Sequence, residues 1–149
     1  MTRKDLPFQP WGLAAIKNGD KTLTSRCSGL AAVNKNPDEW EYGGENVHGQ
    51  HIFYNKDDDK DGLLLRCPWQ VGVDYNGVAV MGITAKRVQD MNGDEAEAEG
   101  VPVIGCALPI GGDIRIDAFA RIWDSIHRRD VNNRYNRNPW TFRLSVRKT

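Results

Sequence analysis

Gly19-Asp20-Lys21-Thr22-Leu23-Thr24-Ser25-Arg26 is the stretch on which the reading of this chain turns. A helix-prone segment precedes it, running from Pro10 through Leu13, Ala14, Ile16 and Lys17, and Pro10 suits a first helical position. Gly19 is the natural stop, because glycine enters the left-handed conformation that ends helices. Asp20 and Lys21 then form a turn, and Thr22 to Arg26 extend as a strand with Thr22, Thr24 and Arg26 on one face and Leu23 and Ser25 on the other. An amine, hydroxyls and a guanidinium thus follow directly on an enforced turn, and polar groups gathered where regular elements end are where sites usually sit. The junction reads as the floor of a small-molecule site.

Working outward, Met1 to Gln9 reads as an extended lead-in. Residues 27 to 62, rich in Gly, Asn, Asp and Lys, read as an elaborated loop with one short strand, His51 to Tyr54. The run Asp57-Asp58-Asp59-Lys60-Asp61-Gly62 matches the first half of an EF-hand loop, but Pro68 stands where the closing glutamate belongs, so a turn is expected. Leu63 to Cys67 reads as a buried strand, and Val78 to Val88 as a longer one after an Asn76-Gly77 turn signal. Asn92, with Glu95 three residues on, predicts a capping box that opens a short helix closed by Gly100 and Pro102. Val101 to Ile114 reads as loop. A helix follows with Asp117 as its cap and Phe119, Ile122, Trp123 and Ile126 on one face, and Trp140 to Val146 alternates as a final strand with Trp140, Phe142, Leu144 and Val146 facing in.

At 149 residues and 16.8 kDa the chain suits one domain with one sizeable core, here 1–149, with 27–60 as an elaborated insertion. The 40% hydrophobic and 27% charged content, with a mean hydropathy of -0.58, belongs to a globular chain and not to a disordered one. The formal charge of +0 removes the global positive field on which non-specific nucleic-acid binders rely. Locally, arginines crowd the stretch from Arg115 onward, and a solvated cationic face and a phosphate-binding one are equally good accounts of them. Cys27, Cys67 and Cys106 form no Cys-x-x-Cys pair, so neither a disulfide framework nor a zinc knuckle is expected, and a reducing, cytoplasmic setting is. No apolar run approaches the ~20 residues needed to cross a bilayer, and the first ten residues lack a signal-peptide core. His48 and His51 lack a third ligand at a recognisable spacing, so no metal and no cofactor is expected. Strands interspersed with two or three short helices, without strand–helix alternation, indicate an α+β domain on a small mixed or barrel-like sheet.

Four ordered segments carry a family resemblance. Gly19 to Arg26 resembles the opening G-x-K-T-x-T-x-R signature of ASCH domains, which are related to the PUA RNA-binding fold. Asp61-Gly62-Leu63-Leu64-Leu65-Arg66 resembles the family's G-D-x-L-x-V-R strand, and Val88-Gln89-Asp90-Met91 through Glu99-Gly100-Val101 its V-Q-D-I segment ending in E-G-V. Phe119 to Ile126, with Asn138-Pro139-Trp140, resembles the C-terminal motif of ASCH-like proteins common in bacteriophages. The resemblance implies a PUA-like small β-barrel flanked by two or three helices, with a cleft beside the first helix and strand. Cys67-Pro68-Trp69 departs from the acidic residue that many members place before the tryptophan, and residues 27–60 exceed the smallest members in length.

Some small ASCH proteins are amidohydrolases that deacylate N4-acetylcytidine through a lysine, a threonine and a glutamate. Carried over, the catalytic set is Lys21, Thr24 and Glu99, with Thr22, Arg26, Arg66 and Trp69 toward substrate. Amide hydrolysis needs a nucleophile, a proton acceptor and a donor for the leaving nitrogen, and a lysine kept neutral by burial can serve a threonine hydroxyl as base. Lys21 and Thr24 would stand on opposite faces of a regular strand, so the scheme requires Lys21 to belong to the turn and arch back. Arg26 could hold a carbonyl or phosphate oxygen, and Trp11 or Trp69 could stack on a base. Three expectations follow: a hydrolase of N-acylated nucleobases or nucleosides, a module that binds RNA or a modified nucleotide, or a phage accessory protein acting through protein contacts.

Overall fold

The computed structural model describes residues 4–57, 62–102 and 113–149. The EF-hand-like run from Asp58 to Asp61 and most of the Val101 to Ile114 segment lie outside the described residues. The chain is α+β, built on two three-stranded antiparallel sheets with helices against them. Helix α1 (Pro10–Asn18) starts at its proline and ends at Gly19, whose φ of 87° is the left-handed cap expected there, with Lys17 in the last turn. Strand β1 (Leu23–Arg26) starts one residue later than expected, although the Thr22 carbonyl still accepts from Val146 N–H at 2.9 Å.

Residues 27–60 correct the expectation of an elaborated loop. They contain α2 (Ala31–Asn34), a single 3-10 turn (Pro37–Glu39), β2 (Trp40–Glu45) and β3 (Gln50–Asn55). The alternation of β2 is real, with Trp40 and Tyr42 turned toward the core, but Gly43-Gly44 and a register shift between Tyr42 and Glu45 break the pattern that sequence reading relies on. Strand β4 (Leu63–Arg66) closes the sheet in the order β2-β3-β4. It is an edge strand with Leu64 47% exposed, so the apolar run is not the buried strand expected of it.

The other sheet has the order β1-β6-β5, with β5 (Val78–Arg87) and β6 (Trp140–Lys148) the long pair. The turn before β5 is the expected one, with Asn76 and Gly77 at φ 54° and 93°. In β6, Phe142, Leu144 and Val146 face the core as expected, yet Thr141 and Arg143 on the other face are buried too, Arg143 reaching Glu95 of α3 (Gly93–Ala98) and Thr141 donating to the Lys86 carbonyl at 2.8 Å. Asn34 secures the start of β6 from α2. Its Oδ1 accepts from Trp140 N–H at 2.6 Å and its Nδ2 donates to the Trp140 carbonyl at 3.0 Å.

Helix α4 (Ile114–Ile126) begins before the expected cap. Asp113 is the N-cap, accepting from Arg115 N–H at 2.8 Å, while Asp117 sits in the first turn and takes the Arg121 guanidinium at 2.9 Å. Two apolar clusters result. The larger lies between the sheets under α1, around Phe53, Phe142, Leu144 and Trp140; the smaller, with Val88, Met91, Ala96, Phe119 and Trp123, seats α3 and α4. Strand β2 runs alongside β5, but among the described residues no ladder joins the two sheets. No helix of the described residues is long and apolar enough to cross a membrane.

Candidate functional site

The turn after α1, the end of α3 and the wall of α4 meet around a cleft of about 670 Å³. Its floor is the opening stretch. Lys21 is only 5% exposed, and its amine donates to the Leu23 carbonyl at 2.8 Å and to the Glu99 carbonyl at 2.5 Å, with Glu99 Oε1 3.9 Å away. Lys21 therefore belongs to the turn before β1, as the scheme required, but its amine curls back onto the Leu23 and Glu99 carbonyls. It bonds backbone carbonyls, and no hydrogen bond joins it to the Thr24 hydroxyl. Burial is the main cause that brings the Lys21 amine down from 10.5 to about 8; Glu99 opposes that fall and Arg26 adds to it.

Glu99 lies at the C-cap of α3, whose capping box between Asn92 and Glu95 is present as expected. Its carboxylate lies 74 residues beyond Ser25 in sequence yet meets β1 directly, because Thr22 N–H bonds the Ala98 carbonyl at 2.8 Å and draws the end of α3 onto the start of the strand. Ser25 completes the arrangement. Its hydroxyl donates to Glu99 Oε2 at 2.9 Å and its N–H to Oε1 at 3.3 Å, so the strand holds both carboxylate oxygens. Sequence reading missed Ser25 by placing it on the face away from the site; a hydroxyl directly beside the motif threonine was the available signal.

Thr24 is buried in the cleft floor, its hydroxyl oxygen accepting from Arg26 Nε at 3.2 Å. Arg26 also donates to the Pro7 carbonyl at 2.7 Å and lies over the Phe8 ring, 4.8 Å from its centroid. This burial lowers even a guanidinium, to about 10, against the pull of Glu99. Gly100 packs against the Lys21 side chain beneath the floor. At φ 78° it passes so close to Lys21 that a Cβ there would stand 2.7 Å from the lysine Cβ.

Four of the seven residues expected at the site line the cleft: Lys21, Thr24, Arg26 and Glu99. Thr22 is exposed and contributes its backbone. Trp69 is 2% exposed, packed in the larger core with its indole N–H on the Asp5 carbonyl at 2.9 Å, and touches the site only from behind Arg26. Arg66 is exposed on β4 and donates to the His48 carbonyl at 3.3 Å. Trp11, by contrast, does line the cleft, as do Phe119, Ile122 and Trp123 from α4. The two histidines considered for a metal part company. His51 is buried with Nδ1 2.8 Å from the Tyr42 hydroxyl, while His48 is exposed, and among the described residues no three His, Cys, Asp or Glu side chains gather as a metal cluster.

The arginines of the C-terminal third do not form one free cationic face. Arg143 is 4% exposed and bonds Asp90 O and Glu95, and Arg115 pairs with Asp94, Glu97 and Asp113. Comparison with protein-family models, with curated proteins and with solved structures gives no match.

Proposed function

We propose that this chain is an ASCH-like amidohydrolase whose cleft takes an N-acylated nucleobase or nucleoside of the N4-acylcytidine kind. The two sheets then correspond to the halves of a small PUA-like barrel, a reading supported by β2 lying beside β5. The observation that carries the function is the meeting of Lys21 and Glu99, 3.9 Å apart and both buried, beside Thr24 in a cleft floor.

In this reaction Thr24 Oγ1 adds to the acyl carbonyl carbon and its proton passes to the neutral amine of Lys21. The C–N bond breaks as the departing nitrogen takes that proton, and water then clears the acyl ester from Thr24. A lysine near 8 is suited to hold and return a proton close to neutral pH. Lys21 must first turn from the Leu23 carbonyl toward Thr24, while Arg26, already donating to that hydroxyl oxygen, leaves the hydroxyl proton free to move. Glu99, held by Ser25, steadies the lysine and faces the amino edge of the base.

Incubation with N4-acetylcytidine tests this by release of cytidine. Turnover by the native chain and a loss of at least about 100-fold in Lys21→Ala are expected, the usual scale for an acid–base group. No turnover, or undiminished turnover in that variant, overturns the proposal. A second reading, a module that binds RNA or a modified nucleotide without catalysis, is favoured by one observation: the Lys21 amine is already occupied by two backbone carbonyls, as a structural lysine would be. Binding to single-stranded RNA that weakens steeply with salt, without turnover, would decide for it.

A further inference from the structure

One polar group on the cleft wall has no part in that reaction. His127, at the C-cap of α4, lines the cleft beside Trp123. Its Nδ1 is 2.9 Å from the Trp123 carbonyl oxygen. A carbonyl can only accept, so Nδ1 carries the hydrogen and Nε2 presents a lone pair. The ring is held against the Trp123 indole at 4.2 Å between centroids, and that indole is itself anchored by its N–H on the Asn133 carbonyl at 2.6 Å. Among the described residues no hydrogen bond reaches Nε2. The charged groups around the imidazole are Arg26 across on β1, Asp124 on α4 and Asp130 beyond it. Burial outweighs both carboxylates and the Trp123 carbonyl, and Arg26 reinforces it, so the ring stays below 6.5 and is neutral at neutral pH.

We propose that His127 is a specificity-determining residue of a second subsite, where its Nε2 accepts a hydrogen bond from an uncharged N–H or O–H of the ligand lying against the apolar wall of Phe119, Ile122 and Trp123. The class of group it takes follows from the chemistry. A neutral amino, amide or hydroxyl group can donate there, whereas a phosphate or carboxylate, which only accepts, gains nothing. This rests on the nucleobase reading of the cleft for its choice of probe, cytidine.

Long-range proton–nitrogen NMR of the intact protein reads the tautomer directly: Nδ1–H in the free protein, with the Nε2 resonance moving when cytidine is added. Calorimetry is expected to show cytidine binding about tenfold weaker in His127→Ala, the scale of one hydrogen bond. In the native chain, binding weakens as pH falls through the imidazole's lowered pKa, where the ring gains a proton and ceases to accept. His127→Gln, which keeps a neutral acceptor, restores most of the affinity and loses that pH dependence. An Nε2–H tautomer, a resonance indifferent to cytidine, or equal affinity in His127→Ala overturns the subsite. Binding that needs His127, without release of cytidine from N4-acetylcytidine, ends the hydrolase and leaves the subsite standing; turnover indifferent to His127 ends the subsite alone.

Discussion

Lys21 shows how far a single residue can be read from its neighbours. Burial lowers its amine from 10.5 to about 8, so between those values the unfolded chain binds a proton that the folded chain has released. Stability must then rise with pH across that window, and the neutral fraction of the amine must rise through about 8. Urea unfolding from pH 7 upward should show the native chain gaining on Lys21→Met over that interval, and turnover should climb through about pH 8 to a plateau. A difference that stays flat would mean the amine is not buried as a cation. Ser25 makes the companion case. Its hydroxyl is one of two donors on the buried Glu99 carboxylate, so Ser25→Ala should cost about 1–3 kcal/mol and lower turnover more than substrate affinity, as measured by denaturant titration and steady-state kinetics. The opening motif made Lys21 and Thr24 legible as a pair. It displays the Ser25 hydroxyl as well, but period-two alternation turns that residue away from the site, because alternation assumes one covered face and β1 is covered on both, by the cleft lining and by the end of α3.

Among the elements, α3 does most to assemble the site from a distance. It has six residues, too few for a helix to persist by itself, and Asn92 and Glu95 satisfy its first N–H groups while Gly100 ends it. Local chemistry of that kind is legible in sequence, and both ends of α3 fall where the sequence puts them. What the sequence does not contain is the direction in which α3 docks, set by Thr22 N–H on the Ala98 carbonyl and by Arg143 reaching Glu95 at 3.1 Å. Gly100→Ala tests that docking. The substitution combines a left-handed φ of 78° with a Cβ only 2.7 Å from the lysine Cβ, and backbone strain of this kind costs about 1–3 kcal/mol. The melting temperature should fall and turnover with it, since relief of the contact must displace either Lys21 or Glu99. The start of α4 carries the opposite lesson. Asp113 and Asp117 are both sound caps by composition, and only the register of the helix against Phe119 and Trp123 selects the first.

At the scale of the whole molecule the question is whether residues 27–60 decorate the fold or complete it. Composition favours decoration, since the stretch is rich in glycine, asparagine, aspartate and lysine and its apolar positions are irregularly spaced. Those positions are placed to matter. Phe53 on β3 is fully buried, with Tyr42 5.4 Å away on its own sheet and Trp140, edge-on at 5.2 Å, on the other. That contact ties β3 to the first residue of β6, the strand that pairs with both β1 and β5 and so carries the floor of the cleft. A truncated aromatic in such a position leaves a cavity between two sheets that cannot collapse independently. Phe53→Ala is therefore expected to cost about 3–5 kcal/mol, against the half kilocalorie or so of a surface change. Because the ring belongs to both sheets, tryptophan fluorescence and far-ultraviolet circular dichroism should still report one shared transition, moved to lower denaturant. If the insertion were decoration, Phe53→Ala would leave the transition in place, and a chain with residues 27–60 replaced by a short linker would keep the near-ultraviolet signature of Trp140. A cleft that survived such a replacement would place the whole support of Lys21 and Thr24 in the first sheet and its helices.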